Sequence, residues 1–217
     1  MNDKVICIIP AREGSKGFPH KNRKLIRYSI SAARGVFNDS DIYVTTDDNE
    51  IKADYYTNCV NIIHRPPALA KDETSMKDVL LHAVREIKPS DDTLLVVLYP
   101  TYPERTSADI QSAIDFFNQQ EAESLLCKKK YTGVHPCLLM YPAFDYGGEQ
   151  VIDHNLYRRQ DYPEVFEISH FVIITRVNEL QFLNNNLYND ETVFYSVANV
   201  TDVDTESDYV KFNNTKS

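Results

Sequence analysis

Short apolar runs alternate with stretches of helical period along most of the chain. Val5-Ile6-Cys7-Ile8-Ile9 is continuous and of strand length, as expected of a strand buried on both faces. Pro10 closes it, because proline cannot donate to a central ladder. Leu25, Ile26, Ile30, Ala33 and Phe37 recur at helical spacing, which predicts a helix starting near Leu25. Strands are expected at 41–45, 61–63 and 93–99, with a short helix after Asp48 between the first two. Met76, Val79, Leu80, Ala83 and Ile87 share one helical face, and Pro89 lies just past its end. Thr106 with Asp109 resembles a capping box for a helix carrying Ile110, Ala113, Ile114 and Phe117. A strand at 124–127 follows. From Lys128 to Pro163 the alternation fails: Gly147-Gly148, three prolines and many tyrosines predict a hairpin-like or irregular arm. Strands at 171–175 and 192–197, a helix around 179–183 and a last short helix around 209–212 complete the reading.

Strands alternating with helices predict an α/β fold, a mostly parallel sheet with helices on both faces. The 217 residues read as a single domain over 1–217, with an arm inserted at about 129–163. Ligands of such sheets bind beyond the carboxyl ends of the strands. That puts the Arg12 loop, the Asp47 turn, the Arg65–Ser75 loop and the Pro100–Arg105 loop on one rim.

Composition narrows the partners. A net charge of −9 argues against nucleic acid, whose binding needs neutralised phosphates. No apolar run approaches a membrane span or a signal-peptide core. The 4 cysteines lack CxxC spacing and the histidines lack ligand spacing, so zinc is not expected and a cytoplasmic location is the default. Against this acidic background, the stretch from Arg12 to Arg27 holds six Lys or Arg and one acid, Glu13. Strand, basic glycine-containing loop and helix is an arrangement that surrounds a phosphate with N–H groups and cations. The same loop also reads as a solvated basic turn, since it matches neither a Walker A loop nor GxGxxG. Near the C-terminus, Asp202 and Asp204 are two apart and share a face in extended backbone. They suit a magnesium ion completed by substrate phosphates, or one of them caps the helix that follows.

Six segments in order resemble the acylneuraminate cytidylyltransferases. They are Ile9-Pro10-Ala11-Arg12 with Gly14-Ser15-Lys16 and Lys21-Asn22; Thr45-Thr46-Asp47; Arg65-Pro66, Leu69-Ala70, Asp72 and Thr74-Ser75; Pro100-Thr101, Pro103 and Arg105; Arg158-Arg159-Gln160-Asp161 with Pro163; and Asp202-Val203-Asp204-Thr205. The resemblance implies a Rossmann-like nucleotidyltransferase fold with a small dimerisation arm. It implies CTP and an acidic 2-keto sugar as substrates, a homodimer, and Mg2+ held by Asp202 and Asp204. CMP passes to the sugar's anomeric hydroxyl and pyrophosphate leaves. It implies Arg12, Lys21 and Asp204 as catalytic residues. Nucleotide-binding positions are Ala11, Arg12, Gly14, Ser15, Lys21, Asn22, Arg65, Asp72, Thr74 and Ser75; acceptor-binding positions are Tyr99, Thr101, Arg159 and Gln160.

The chain departs from that pattern mainly on the acceptor side. Only Arg23 and Lys24 separate Asn22 from Leu25, where family members have several more residues. Tyr99 stands where the family has a glutamine, Leu138 where some members have a lysine, and Ile168-Ser169-His170 replaces an Asn-Gly-Ala-like segment. A second reading is therefore a weakened homologue that binds nucleotide, or serves as a dimeric partner, without turnover.

Overall fold

The computed structural model describes residues 4–14, 17–56, 60–143, 147–198 and 200–215, without the side chain of Tyr56. Seven strands form one mixed sheet: β1 (Val5–Pro10), β2 (Ile42–Thr46), β3 (Asn61–His64), β4 (Leu94–Val97), β5 (Ser124–Lys130), β8 (Phe166–Arg176) and β9 (Val193–Ser196), in the order β3-β2-β1-β4-β8-β5-β9. The strands β6 (Met140–Pro142) and β7 (Gly148–Gln150) pair as a separate hairpin in the arm. The first four strands run parallel, as do β5 and β9, while β8 is antiparallel to both β4 and β5. The chain leaves the rim at the end of β5 and returns there through the arm, with Lys130 opposite Phe166. Among the described residues no crossover helix intervenes, and a strand that starts back from the same rim runs antiparallel.

The apolar runs behave as strands buried on both faces. Cys7 and Ile9 enter one core with Val44, Val96 and Ile174. Ile6 and Ile8 enter the other with Leu95, Val97 and Ile173. Helices α1 (Lys21–Arg34), α2 (Asn49–Tyr56) and α4 (Ser107–Gln119) supply Ile26, Ile51 and Phe117 to the first core. Helix α3 (Met76–Ile87) supplies Leu80 and Ala83 to the second. A third cluster, Leu25, Val203 and Phe212, docks helix α5 (Glu206–Asn214) and its leader onto α1.

Three expectations shift. Helix α1 starts at Lys21 rather than near Leu25, so Lys21 and Asn22 sit on its first turn. Strand β8 begins at Phe166 rather than at Phe171, which brings Ile168-Ser169-His170 into the strand. The segment expected to be helical at 179–183 is only a 3-10 turn, Leu180–Phe182. Cys7, Cys127 and Cys137 are buried free thiols; Cys59 lies outside the described residues. No helix of the described residues is long and apolar enough to cross a membrane.

Candidate functional site

The carboxyl ends of β1, β3 and β4 converge on an open cleft of about 150 Å³. Its lining includes Arg12, Lys21, Asn22, Arg65, Tyr99 and Thr101. Residues Ala11 to Glu13, at the start of the loop after β1, are held by hydrogen bonds within the chain. Ala11 donates its N–H to the Thr45 carbonyl (3.0 Å), and the Thr46 hydroxyl donates to the Ala11 carbonyl. Asn22 Nδ2 donates to the Arg12 carbonyl (2.8 Å), and the Glu13 N–H donates to Asp47 Oδ1 (2.9 Å). Ala11 and Asn22 thus serve the loop's backbone, and Asn22 spends its amide there. Gly14 takes a φ of 79°, a left-handed conformation that favours glycine. A Cβ on Gly17 would come within 3.1 Å of the Asp204 carbonyl, so the loop lies against the acidic segment. Ser15 lies outside the described residues.

The cations of the cleft are paired with carboxylates or buried. Arg12 Nη2 meets Asp72 Oδ1 at 2.6 Å, and Lys21 Nζ donates to Asp204 Oδ1 at 2.7 Å. Arg65 is 2% exposed; its Nη2 donates to the Thr45 carbonyl (2.9 Å), while its buried Nε has no partner. Burial pushes the Arg65 guanidinium down to about 10; Asp47 opposes this and the charge of Arg12 adds to it. Two guanidiniums facing one cleft repel each other, which an anion between them would relieve.

Val203 explains how the acidic pair is presented. It is fully buried against Leu25 and Phe212, and its N–H donates to the Thr101 carbonyl (2.8 Å). With Val203 turned inward, Asp202 and Asp204 turn together to the opposite side, Asp202 by Thr101 and Tyr102 and Asp204 on Lys21. The helix-capping alternative falls to Thr205, which accepts from the Asp208 N–H in a capping box. Asp202 Oδ1 is buried with no partner. Burial raises the Asp202 carboxyl; Thr101 draws it back, Asp204 adds to the rise, and Tyr102 and Lys21 oppose it. An orphaned buried carboxylate oxygen beside a second carboxylate is the donor set of a hard divalent cation. Among the described residues no group of three or more His, Cys, Asp or Glu is placed to hold a metal ion, so such an ion would draw its remaining ligands from water and substrate.

The other predicted positions divide. Thr74 and Ser75 lie at the start of α3, where Ser75 accepts from the Asp78 N–H as the helix cap. Tyr99 and Thr101 border the cleft, and the Tyr99 ring stacks on His170 at 5.3 Å. Arg159 and Gln160 are not at the cleft of their own chain. They lie in a 3-10 turn of the arm, where Arg159 borders a separate groove with His135, Leu138 and Tyr162. Two residues carry more than the sequence suggested. Arg105, 3% exposed, holds the Phe171 carbonyl, the Ser29 hydroxyl (2.7 Å) and the Tyr99 carbonyl (2.9 Å), fixing the end of β4 against α1 and β8. Arg23 joins three carboxylates near the loop. A serine on the apolar face of α1 was the signal for the first, and one acid among six cations for the second.

An α/β sheet with Arg12, Lys21 and Arg65 gathered in a cleft at its carboxyl rim defines the class: an α/β protein whose site faces anions. The chain belongs to the cytidylyltransferase family, whose model, described as "Cytidylyltransferase", matches residues 6–138. It is 28% identical over 95% of its length to an N-acylneuraminate cytidylyltransferase of Streptococcus agalactiae serotype V, and covers 52% of that protein. The chain thus spans about half the length of the curated relatives heading the comparison. It is 29% identical to the post-translational flagellin modification protein B of Campylobacter coli, covering 95% of this chain and 92% of that one. The solved structure of CMP:2-keto-3-deoxy-manno-octonic acid synthetase complexed with CTP shares the fold, with TM-score 0.72, 15% identity, and 99% and 98% of the two chains covered.

Proposed function

We propose that this chain transfers CMP from CTP to the anomeric hydroxyl of an acidic 2-keto sugar and releases pyrophosphate. The observation that carries the proposal is the convergence of Arg12, Lys21 and the under-paired Arg65 with the Asp202–Asp204 pair at one rim. Arg12 and Lys21 neutralise the triphosphate, exchanging their present carboxylate partners for phosphate oxygens. Arg65, with Thr74, Ser75 and Asp72 on the neighbouring loop, borders the base. Gly14 and Ser15 follow the phosphates. A magnesium ion held by Asp202 and Asp204 would supply charge neutralisation at the α-phosphate and polarise the attacking hydroxyl. In the reaction the hydroxyl oxygen bonds to the α-phosphorus and loses its proton. The bond from that phosphorus to the bridging oxygen breaks, and pyrophosphate leaves with the electron pair. The residues contribute alignment and electrostatic stabilisation.

Tyr99 and Thr101 form the acceptor side, with Arg159 and Gln160 delivered by the arm of a second copy. The arm supports such a homodimer: Val134, Leu138, Met140, Tyr141, Leu156 and Tyr157 are all exposed on it, Tyr157 at 95%. The names of the relatives favour a nonulosonic or octulosonic acid as acceptor, and a cytoplasmic location fits a CTP-using enzyme with buried free thiols. The changed acceptor positions favour a second reading, nucleotide binding without turnover.

Thermal unfolding with CTP and magnesium, set against UTP, ATP and GTP, tests the nucleotide half. A hundredfold excess over Kd stabilises by roughly 2.7 kcal/mol. Selective CTP stabilisation followed by pyrophosphate release with a keto sugar acid supports the proposal. Selective stabilisation without release from any acceptor supports the second reading, and equal or absent shifts refute both.

A further inference from the structure

Arg23 follows the Lys21-Asn22 pair on the first turn of α1. Its Nε meets Asp48 Oδ2 at 2.6 Å, its Nη2 meets Glu13 Oε1 at 2.8 Å, and its Nη1 meets Glu50 Oε2 at 2.7 Å. The three carboxylates come from three places. Glu13 follows Arg12 in the loop after β1. Asp48 is buried at the start of α2, where its Oδ1 accepts from the Glu50 N–H (2.9 Å). Glu50 lies on α2 and is exposed.

We infer that Arg23 is a positioning residue for the Arg12 phosphate cradle, an inference that rests on the function proposed above. Arg12 meets Asp72 through a flexible side chain, so the aim of its guanidinium depends on how its backbone is held. That backbone is held on one side by Asn22, through the Arg12 carbonyl, and on the other by Glu13, through its N–H to Asp47 and its carboxylate to Arg23. Asn22 and Arg23 are adjacent, so one turn of α1 grips both sides of Arg12. The buried Asp48 is the anchor: it fixes the guanidinium, and the fixed guanidinium fixes the loop. The connection from Asn22 to the apolar face of the helix is only two residues long, which is why this turn of helix lies within reach of the loop. The planar fork of arginine holds several carboxylates in fixed directions, which a lysine ammonium cannot reproduce. Arg23 also neutralises Glu13, which would otherwise place an unpaired negative charge beside the triphosphate.

Direct titration of the full chain with CTP and magnesium tests this, in parallel with inorganic tripolyphosphate, which needs the cradle but no base site. Arg23→Met is expected to weaken both ligands on the order of tenfold, with kcat changed far less than KM, as for an interaction shared by ground and transition states. Arg23→Lys preserves the charge and a partner for Asp48, so it keeps the fold if the methionine variant does not; it is expected to fall between wild type and Arg23→Met. Glu50→Gln removes an ion pair of the same cluster that does not touch the loop, and is expected to bind like wild type. Three results overturn the inference: Arg23→Met that loses thermal stability at unchanged affinity, Arg23→Lys that binds like wild type, or Glu50→Gln as damaging as Arg23→Met. A wild type that binds tripolyphosphate without preferring CTP rejects the proposed function, while the variants still decide the role of Arg23. A wild type that binds neither overturns both.

Discussion

Replacing Arg65 by methionine should leave the ligand-free protein as stable as before or more stable, while removing its response to CTP. Two opposing contributions meet at this side chain. Arg65 is buried at 2% exposure and its guanidinium is pushed from the ordinary arginine range to about 10, chiefly by burial. For a base whose folded value lies below its unfolded one, the penalty is full at neutral pH and is relieved only as pH rises through the folded value. At roughly 1.4 kcal/mol per tenfold, burying the charge costs about 3 kcal/mol. Against this stands one charge-assisted hydrogen bond, to the Thr45 carbonyl, worth roughly 1.5–3 kcal/mol. Thr45 keeps the N–H of Ala11 as a partner when the arginine is gone. The net change is therefore between nothing and a gain of about 1.5 kcal/mol, which for a chain of 217 residues moves Tm by at most about 6 °C upward. Differential scanning fluorimetry of wild type and Arg65→Met, with and without CTP and magnesium, reads both halves. A fall in Tm of more than about 4 °C would show that Arg65 is a structural tie like Arg105, and a retained CTP shift would remove it from the base site. Either result would refute the reasoning.

Asp204→Ala should abolish pyrophosphate release and leave the circular dichroism spectrum unchanged, because its exposed pair with Lys21 contributes at most about 1 kcal/mol; a fully active variant removes Asp204 from the metal role. Burial pushes the Asp48 carboxyl up, but Arg23 and the N–H groups of Ile51 and Glu50 outweigh it and hold the carboxyl below its usual range. Its stabilising contribution is thus present at neutral pH and lost as pH falls through the folded value, so the stability gap between wild type and Asp48→Asn should narrow below about pH 4. A gap that is constant with pH would mean that charge is not what Asp48 supplies. Met140→Glu combined with Tyr157→Glu, both exposed on the arm, should convert a dimer to monomer in sedimentation velocity; a wild type that sediments as a monomer, or a variant that stays dimeric, moves the interface off the arm.

The residues that read well from sequence are those whose partners are close in the chain or whose pattern is periodic. The strand β1 and the faces of α1, α3 and α4 announce themselves by period, and the caps Ser75 and Thr106 by their offset to an acid. The cleft was readable because a parallel sheet delivers its loops to one rim, so Arg12, Arg65 and Thr101 meet there although nothing local joins them. What failed to read were ties across long separations. Arg105 fell inside a motif whose loop was expected on the ligand rim, yet it binds Phe171 and Ser29, 66 and 76 positions away. The trace it leaves is Ser29, a polar residue between Ile26 and Ile30 on the buried face of α1, since a buried hydroxyl there requires a partner. The direction of β8 was hidden for a related reason. An apolar run has no polarity, and only the return through the arm makes the strand antiparallel. The start of α1 shows the same limit at closer range. Lys21, Asn22 and Arg23 are polar because they face the loop and its carboxylates, so the apolar period begins at Leu25 while the helix begins a turn earlier. Period locates the part of a helix that meets the core. It is silent on the part that turns away from the core, and in this chain that silent turn carries Asn22 and Arg23, which hold Arg12 and Glu13.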